Sequence, residues 1–207
     1  MKKVTFSLIF IGIIFTSFKI IDKISEENSS KISILNDSSK EKLDVQVSQI
    51  RKVIQANPKY NNEIAFLIDM KIPSGKNRFF VYDLKKDTII DQGLVAHGSG
   101  SETGIQGKLK FSNTNNSLAT SLGKYYIGNS YIGRFGKAYK LYGLDKTNSN
   151  AFDRAIVLHK YFDVPYEEQT NYICNSYGCP MVNEKYFKRI ENRIDNSKNN
   201  ILLAIYY

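Results

Sequence analysis

The chain has few of the residues that staple small exported proteins or hold metal ions. Its 207 residues include two cysteines, two histidines, four prolines and no tryptophan. Two cysteines are too few for a disulfide framework, so the fold must rest on an apolar core. The four possible zinc ligands are His97, His159, Cys174 and Cys179. Because the histidines lie far apart in the sequence, unlike the closely spaced pairs of structural zinc sites, we expect no metal and no cofactor.

Positive charge is present in excess but is scattered along the chain. There are 29 Lys and Arg residues against 20 Asp and Glu residues, a formal net charge of +9. Nucleic-acid binding would require a concentrated basic patch or an arginine-rich stripe. We therefore expect no nucleic-acid partner. The excess favours attraction to an anionic envelope or polymer, and most of it serves solubility.

The N-terminus has the pattern of a secretory signal. Lys2 and Lys3 precede an apolar stretch from Val4 to Phe18, and charge returns at Lys19. A basic start, a short apolar run and a polar exit are typical of export signals. The run is shorter than the roughly 20 residues of a membrane-spanning helix, although Lys19 can snorkel and extend it. We predict that residues 1–23 are a signal peptide or signal anchor, which would place the protein in the periplasm or at the outer face of the inner membrane.

A tether and a helix are predicted next. Residues 24–40 are rich in Ser, Asn and Lys without sustained periodicity, which indicates a flexible tether. Apolar residues then recur at steps of three and four, at Leu43, Val47, Ile50 and Ile54. This spacing predicts an amphipathic helix that packs on the domain that follows.

The rest of the chain has a sequence pattern typical of β-structure. Short apolar or alternating runs separated by turn residues predict strands at 64–68, 78–84, 88–90, 94–97, 125–127, 155–159 and 201–207. A second helix is predicted over residues 183–197, with Asn183 as its cap. Without β-α-β alternation, this order favours a mainly β domain with flanking helices (α+β), a β-sandwich or a mixed sheet, over residues 41–207.

Cys179 is the candidate nucleophile. Gly178 before it allows a close backbone approach or a positive φ, and Pro180 after it fixes the chain. On such a turn consecutive backbone N–H groups can point at one spot and form an oxyanion hole. The alternative is that Cys179 is a small buried hydrophobe, as most free cysteines are.

His159 is the candidate base, because it ends the most apolar strand of the chain. The unperturbed pKa of cysteine is about 8.5, so a nucleophilic cysteine needs a base or an imidazolium partner. We predict that His159 lies within hydrogen-bond reach of Cys179, directly or through one water, and that the thiolate titrates below the usual pKa. The alternative is a satisfied core histidine. His97 also ends a strand, before a glycine-rich loop, and is predicted at the rim of the same cleft, in substrate positioning or support, or as a structural histidine.

These residues occur in an order that resembles a known family. His159, sixteen intervening residues and the segment Ser176–Cys179 resemble the L,D-transpeptidase (YkuD-type) signature of a histidine, a spacer, Ser or Thr, His, Gly and Cys. Five segments are similar to the murein L,D-transpeptidase catalytic domain-like subfamily: Val95–Gly98, Phe111–Asn113, Ser121–Tyr125, Ser176–Pro180 and Ile205–Tyr207. Tyr177 stands where the wider family has histidine, so the imidazole must come from His159 or His97.

The resemblance implies a monomeric cysteine acyltransferase that acts on peptidoglycan stem peptides and releases the terminal D-alanine through a thioester. It implies a catalytic set of Cys179, His159, Ser176 and Gly178. It implies substrate-binding residues at His97, Tyr125, Arg154 and Tyr177. Three alternatives stay open: an L,D-carboxypeptidase of the same fold, an enzyme that attaches another protein to peptidoglycan, and a non-catalytic envelope-binding domain.

Overall fold

The computed structural model describes residues 35–207, so the predicted signal segment and residues 24–34 of the predicted tether lie outside the described part. Two helices and nine strands follow in the order α1 (Asp37–Ala56), β1 (Tyr60–Asp69), β2 (Phe79–Asp83), β3 (Thr88–Gly93), β4 (Val95–Ala96), β5 (Gly123–Gly133), β6 (Gly136–Gly143), β7 (Val157–Lys160), β8 (Met181–Val182), α2 (Glu184–Asp195) and β9 (Asn200–Tyr206). The strands form one mixed sheet, which confirms the mixed-sheet α+β prediction.

The sheet has the strand order β3-β2-β1-β9-β5-β6-β7-β8-β4. Most neighbours are antiparallel, but β1 pairs in parallel with β9, and β7 pairs in parallel with β8. The C-terminal strand therefore lies inside the sheet, while β7, β8 and β4 form one end of it. The two strands that flank the candidate nucleophile lie at this end.

Helix α1 covers one face of the sheet. It begins at Asp37 because the side chain of Asn36 accepts the Ser39 N–H at 2.9 Å, which caps the first turn. Leu43, Val47 and Ile50 are buried against that face, as the spacing predicted. The cap also means that residues 37–40, assigned to the tether from the sequence, belong to the helix.

Helix α2 covers the other face. Asn183 caps it, as predicted, by accepting the Lys185 N–H at 2.8 Å. Tyr186 packs edge-to-face on Phe79, with ring centroids 5.4 Å apart at 87°. In β1, Phe66 belongs to this core and Leu67 to the core under α1, as strand alternation requires. Among residues 35–207, no helix has both the length and the apolar character to cross a bilayer.

Strand β6 was not predicted from the sequence. The run Gly128–Gly143 mixes glycine and tyrosine, which hides the alternation of a strand. In the structure β5 runs on to Gly133, beyond its predicted end, and turns at Arg134 and Phe135 into β6. The tip of this hairpin overhangs the cleft described next.

Candidate active site

The strand register brings Cys179 and His159 into one cleft. His159 of β7 pairs with Met181 of β8, and the His159 N–H donates to the Pro180 carbonyl at 3.4 Å. Since side chains alternate along a strand, His159 and Val157 project to one side, together with Met181 and Cys179. Both predicted catalytic side chains line a cleft of about 640 Å³. The strand register therefore places the predicted nucleophile and the predicted base in the same cleft.

The imidazole of His159 is held in one tautomer. Its Nδ1 lies 3.0 Å from the Lys160 carbonyl oxygen, which can only accept, so Nδ1 carries the hydrogen and Nε2 keeps its lone pair. The ring of Phe135 stacks on the imidazole, with centroids 5.4 Å apart at 15°. Burial lowers the pKa of His159, and the hydrogen bond to Lys160 opposes this in part. The site therefore contains a neutral, oriented base.

The thiol of Cys179 is held by the backbone of the segment leading into β7. Its Sγ accepts the Val157 N–H at 3.4 Å and donates to the Ala155 carbonyl at 3.7 Å. Burial raises the pKa of Cys179, while the Val157 N–H and the charge of Arg154 lower it in part. Within the described residues no hydrogen bond joins Cys179 directly to His159. The sequence-based expectation of a thiolate pKa below the usual value is therefore corrected, because burial outweighs the stabilising contacts.

Ser176 fixes the turn that carries the thiol. Its N–H donates to the His97 carbonyl at 2.8 Å, and its carbonyl accepts the Ser99 N–H at 2.7 Å. Its Oγ accepts the Gly178 N–H at 3.1 Å. That N–H is thus engaged in the resting structure, whereas the Cys179 N–H has no acceptor among residues 35–207. Of these two N–H groups, the one of Cys179 is therefore available to hydrogen-bond an oxyanion of the substrate.

Gly178 is required by its backbone conformation. Its φ is +116°, a region that side chains with a Cβ rarely adopt. A Cβ there would lie 3.0 Å from the Ala119 carbonyl oxygen and 3.1 Å from Ile156 Cδ1. Both the angle and the lack of room therefore exclude a larger residue beside the thiol.

We expect Gly178→Ala to lower both the melting temperature and the activity. A residue forced into such a conformation costs about 1–3 kcal/mol, and displacement of the thiol adds a loss of turnover of more than about tenfold. Gly104→Ala is the matched control, because Gly104 also has a positive φ, +76°, but no atom within 4 Å of the added Cβ. Thermal unfolding and turnover of both variants measure this. Equal turnover in the two variants would contradict the role given to Gly178.

Arg154 stabilises the backbone segments next to Cys179 through hydrogen bonds. Its Nη1 donates to the Ser112 carbonyl at 2.7 Å, and its Nη2 donates to the Ala119 carbonyl at 2.6 Å and to Ser117 Oγ at 3.2 Å. These contacts tie the loop before β5 to the segment that leads into β7. The guanidinium predicted to bind substrate is thus engaged by the protein itself, and it acts on Cys179 through its charge.

Tyr125 and Tyr177 have opposite environments, although both were predicted to bind substrate. Tyr125 is fully buried, and its hydroxyl donates to the Ser121 carbonyl at 2.6 Å. Burial raises the pKa of Tyr125 to about 12. The structure corrects this prediction, because a core side chain cannot reach a ligand. Tyr177 is 78% exposed and lines the cleft, so it is available to a substrate.

His97 lies in a different pocket from Cys179. Its buried side chain shares a pocket of about 330 Å³ with Arg78 and Glu102. Arg78 Nη2 donates to His97 Nδ1 at 2.9 Å, so the proton is on Nε2, which donates to Glu102 at 2.7 Å. The side chain is therefore not at the rim of the Cys179 cleft, contrary to the prediction. The His97 carbonyl accepts the Ser176 N–H, and Glu102, bound to the His97 side chain, also accepts Asn175 Nδ2 at 3.3 Å.

Cys174 lies outside the cleft as well. It packs against a small apolar cluster that includes Leu94 and Ala96, and both cysteines are free.

Among residues 35–207, no three side chains of His, Cys, Asp or Glu are grouped so that they could hold a metal ion. Among the described residues that line the cleft, Cys179 is the one cysteine and His159 the one histidine.

Comparison with known proteins shows the family of the chain. Residues 35–206 match the sequence profile of the family described as L,D-transpeptidase catalytic domain, which includes the whole sheet and both helices. The chain belongs to this family. No curated protein matches it in sequence.

Solved structures of L,D-transpeptidases are similar at low identity. The Ldtfm–avibactam carbamoyl enzyme has a TM-score of 0.44 at 9% identity, over 71% of this chain and 50% of that chain. An L,D-transpeptidase from Mycobacterium smegmatis has a TM-score of 0.41 at 10% identity, over 69% and 58%. One from Xylanimonas cellulosilytica has a TM-score of 0.38 at 13% identity, over 70% and 61%. The chain spans less than two thirds of the length of each, and its place in the family rests on the sequence match.

In this L,D-transpeptidase domain, we expect the thiol of Cys179 to lose its proton only at a pH above the usual pKa of cysteine. In a Cys174→Ala background, the rate of alkylation by iodoacetamide should keep rising above pH of about 8.5, because burial raises the pKa of Cys179. His159→Ala should leave this profile nearly unchanged, since a neutral imidazole does not stabilise the resting thiolate. A rate plateau near neutral pH that disappears in His159→Ala would instead indicate a preformed ion pair.

Two residues were missed in the sequence, Phe135 in the Cys179 cleft and Arg78 in the separate pocket of His97. Phe135 lies in the Gly- and Tyr-rich stretch and gave no signal, because its role depends on the hairpin that carries it to His159. Arg78 begins a predicted strand, and it is fully buried. An arginine at the start of an otherwise apolar run was a detectable signal, since arginine is seldom buried without partners.

Proposed function

We propose that the domain is an L,D-transpeptidase that acts on peptidoglycan stem peptides through a thioester on Cys179. The observation that carries the proposal is that Cys179 and His159 line one cleft, while Nε2 of His159 has no hydrogen-bond partner among residues 35–207. A thiol next to an oriented base is the minimum apparatus for acyl transfer. Membership of the L,D-transpeptidase catalytic domain family supports the same chemistry.

In the acylation step, His159 Nε2 takes the thiol proton as Sγ attacks the carbonyl carbon of the third residue of a stem tetrapeptide. A C–S bond forms, and the carbonyl oxygen becomes an oxyanion near the Cys179 N–H, with the Gly178 N–H as a second donor if it leaves Ser176. The C–N bond to D-alanine then breaks. The imidazolium returns the proton to the departing amine, which leaves a thioester and free D-alanine.

In the second step, an amine of another stem peptide attacks the thioester. His159 removes a proton from that amine, a new amide bond forms, and the sulfur leaves and recovers its proton. Water in place of the amine would give a tripeptide, which is the L,D-carboxypeptidase alternative. An amine of a protein would give attachment of that protein to peptidoglycan. The catalytic residues serve all three reactions equally, so the acceptor decides among them.

The location and partners follow from the substrate. Stem peptides lie outside the cytoplasmic membrane, so we propose an exported protein, periplasmic or held at the outer face of the inner membrane. The excess of lysine and arginine favours an anionic wall polymer. We further propose that the domain works as a monomer.

Incubation of the purified protein with tetrapeptide muropeptides, followed by mass analysis of the products, tests the proposal. A cross-linked dimer with release of D-alanine is the expected result. A tripeptide without dimer would identify the carboxypeptidase. An unchanged substrate, with Cys179 still open to alkylation, would favour the non-catalytic envelope-binding domain.

A further inference from the structure

The cleft around Cys179 has an unusual charge balance. None of the described residues that line it is Asp or Glu, and one of them, Arg134, carries a permanent charge. The walls are aromatic, from Tyr131, Phe135, Tyr161, Phe162 and Tyr177. A cleft without carboxylates and with one arginine favours an anionic group on the ligand.

Arg134 lies at the tip of the hairpin between β5 and β6, and both its guanidinium and the imidazole of His159 lie near the ring of Phe135. Its guanidinium carbon lies 5.5 Å from the ring centroid of Phe135, and that ring stacks on His159 at 5.4 Å. The side chain is exposed, and no Asp or Glu among residues 35–207 forms an ion pair with it. Its N–H donors are therefore available to a ligand on the His159 side of the cleft.

The reaction places a carboxylate on that side. His159 gives its proton to the amine of the departing residue, so this amine must lie next to the imidazole. In a C-terminal amino acid the carboxylate is bonded to the carbon that carries the amine, so it cannot lie far from His159. An arginine offers two parallel N–H groups to both oxygens of a carboxylate.

We propose that Arg134 binds the C-terminal carboxylate of the departing D-amino acid and so restricts the donor to stem peptides that end one residue after the cleaved bond. This rests on the proposed function. It predicts that a free tetrapeptide is a good donor, whereas a tetrapeptide amide, or a peptide with a further residue, is a poor one.

Binding of the free tetrapeptide and of its C-terminal amide to the full chain carrying Cys179→Ala, which cannot turn over, is the direct test. We expect the acid to bind about 10- to 100-fold more tightly than the amide, as a charge-assisted bidentate pair requires. Arg134→Gln should remove this preference by weakening the acid alone. Arg134→Lys should keep a part of it, because lysine retains the charge without the two-pronged geometry.

Lys188→Gln is the matched control, since it removes one exposed positive charge from helix α2, away from the cleft. It should leave the acid-to-amide ratio unchanged. Equal binding of acid and amide with Arg134 in place, or an equal loss for both ligands in Arg134→Gln, overturns the proposal. Failure of the proposed function gives a different result: the chain with Cys179 releases no D-alanine, while the acid-to-amide binding ratio still depends on Arg134.

Discussion

Replacing Cys179 with alanine or serine is expected to lower turnover of stem peptides by at least about a thousandfold, as the loss of a covalent nucleophile normally does. Alanine removes the attacking atom. Serine keeps a hydroxyl, but a neutral imidazole of lowered pKa is a weak base for a group much less acidic than a thiol. Neither alanine nor serine is larger than the cysteine that it replaces, so both variants should still unfold cooperatively.

Cys174→Ala is the control for the thiol. Cys174 packs with Leu94 and Ala96 away from the cleft, so its loss should leave turnover close to that of the wild type. Turnover and thermal unfolding of the three variants are the measurements. Loss of a covalent nucleophile should cost far more than about a hundredfold. Activity above about one per cent of the wild type in Cys179→Ala or Cys179→Ser would therefore exclude Cys179 as the nucleophile.

Replacing His159 with alanine is expected to lower the rate of acylation by about a hundredfold to ten-thousandfold, the usual contribution of a general base. The reason is geometric. Nδ1 is committed to the Lys160 carbonyl, so Nε2 faces the cleft as the proton acceptor. Alkylation by iodoacetamide at high pH should be retained, because an already formed thiolate needs no base. Single-turnover acylation by a stem peptide and alkylation of the same variant measure the two effects separately.

His97→Ala is the matched histidine control. Its side chain is bound to Arg78 and Glu102 in a second pocket, and its carbonyl holds Ser176. We expect a slower reaction through a looser catalytic turn, with acylation still measurable. Near-complete loss of acylation in His97→Ala together with activity in His159→Ala would show that the two roles are reversed.

That Cys179 and His159 line one cleft could be predicted because each residue carried a local signal. His159 closes an apolar run, and Cys179 lies between a glycine and a proline. The positive φ of Gly178 then follows from the turn that the sequence suggested. Helix caps were predictable for the same reason, since Asn183 acts on its own neighbours.

The role of His97 could not be predicted, because a strand end does not reveal the face on which a side chain lies. A shift of one residue along a strand turns the side chain to the other face. His97 and His159 were both predicted to end strands, yet the side chain of His97 contacts Arg78 and that of His159 lines the Cys179 cleft. The pKa of Cys179 was unpredictable too, since burial depends on the packing of distant segments. Tyr125 was misplaced for the same reason.

The most direct test is a search for the acyl-enzyme itself. The protein is mixed with a stem tetrapeptide whose side-chain amine is acetylated, so that the peptide cannot act as acceptor, and the reaction is quenched in acid, digested and analysed by mass spectrometry. We predict a tripeptide acyl group on the fragment that contains Cys179, with one D-alanine released for each acyl group, and no adduct in Cys179→Ala. Release of D-alanine without an adduct in the wild type and with the same yield in Cys179→Ala, or an adduct on another residue, would contradict the account.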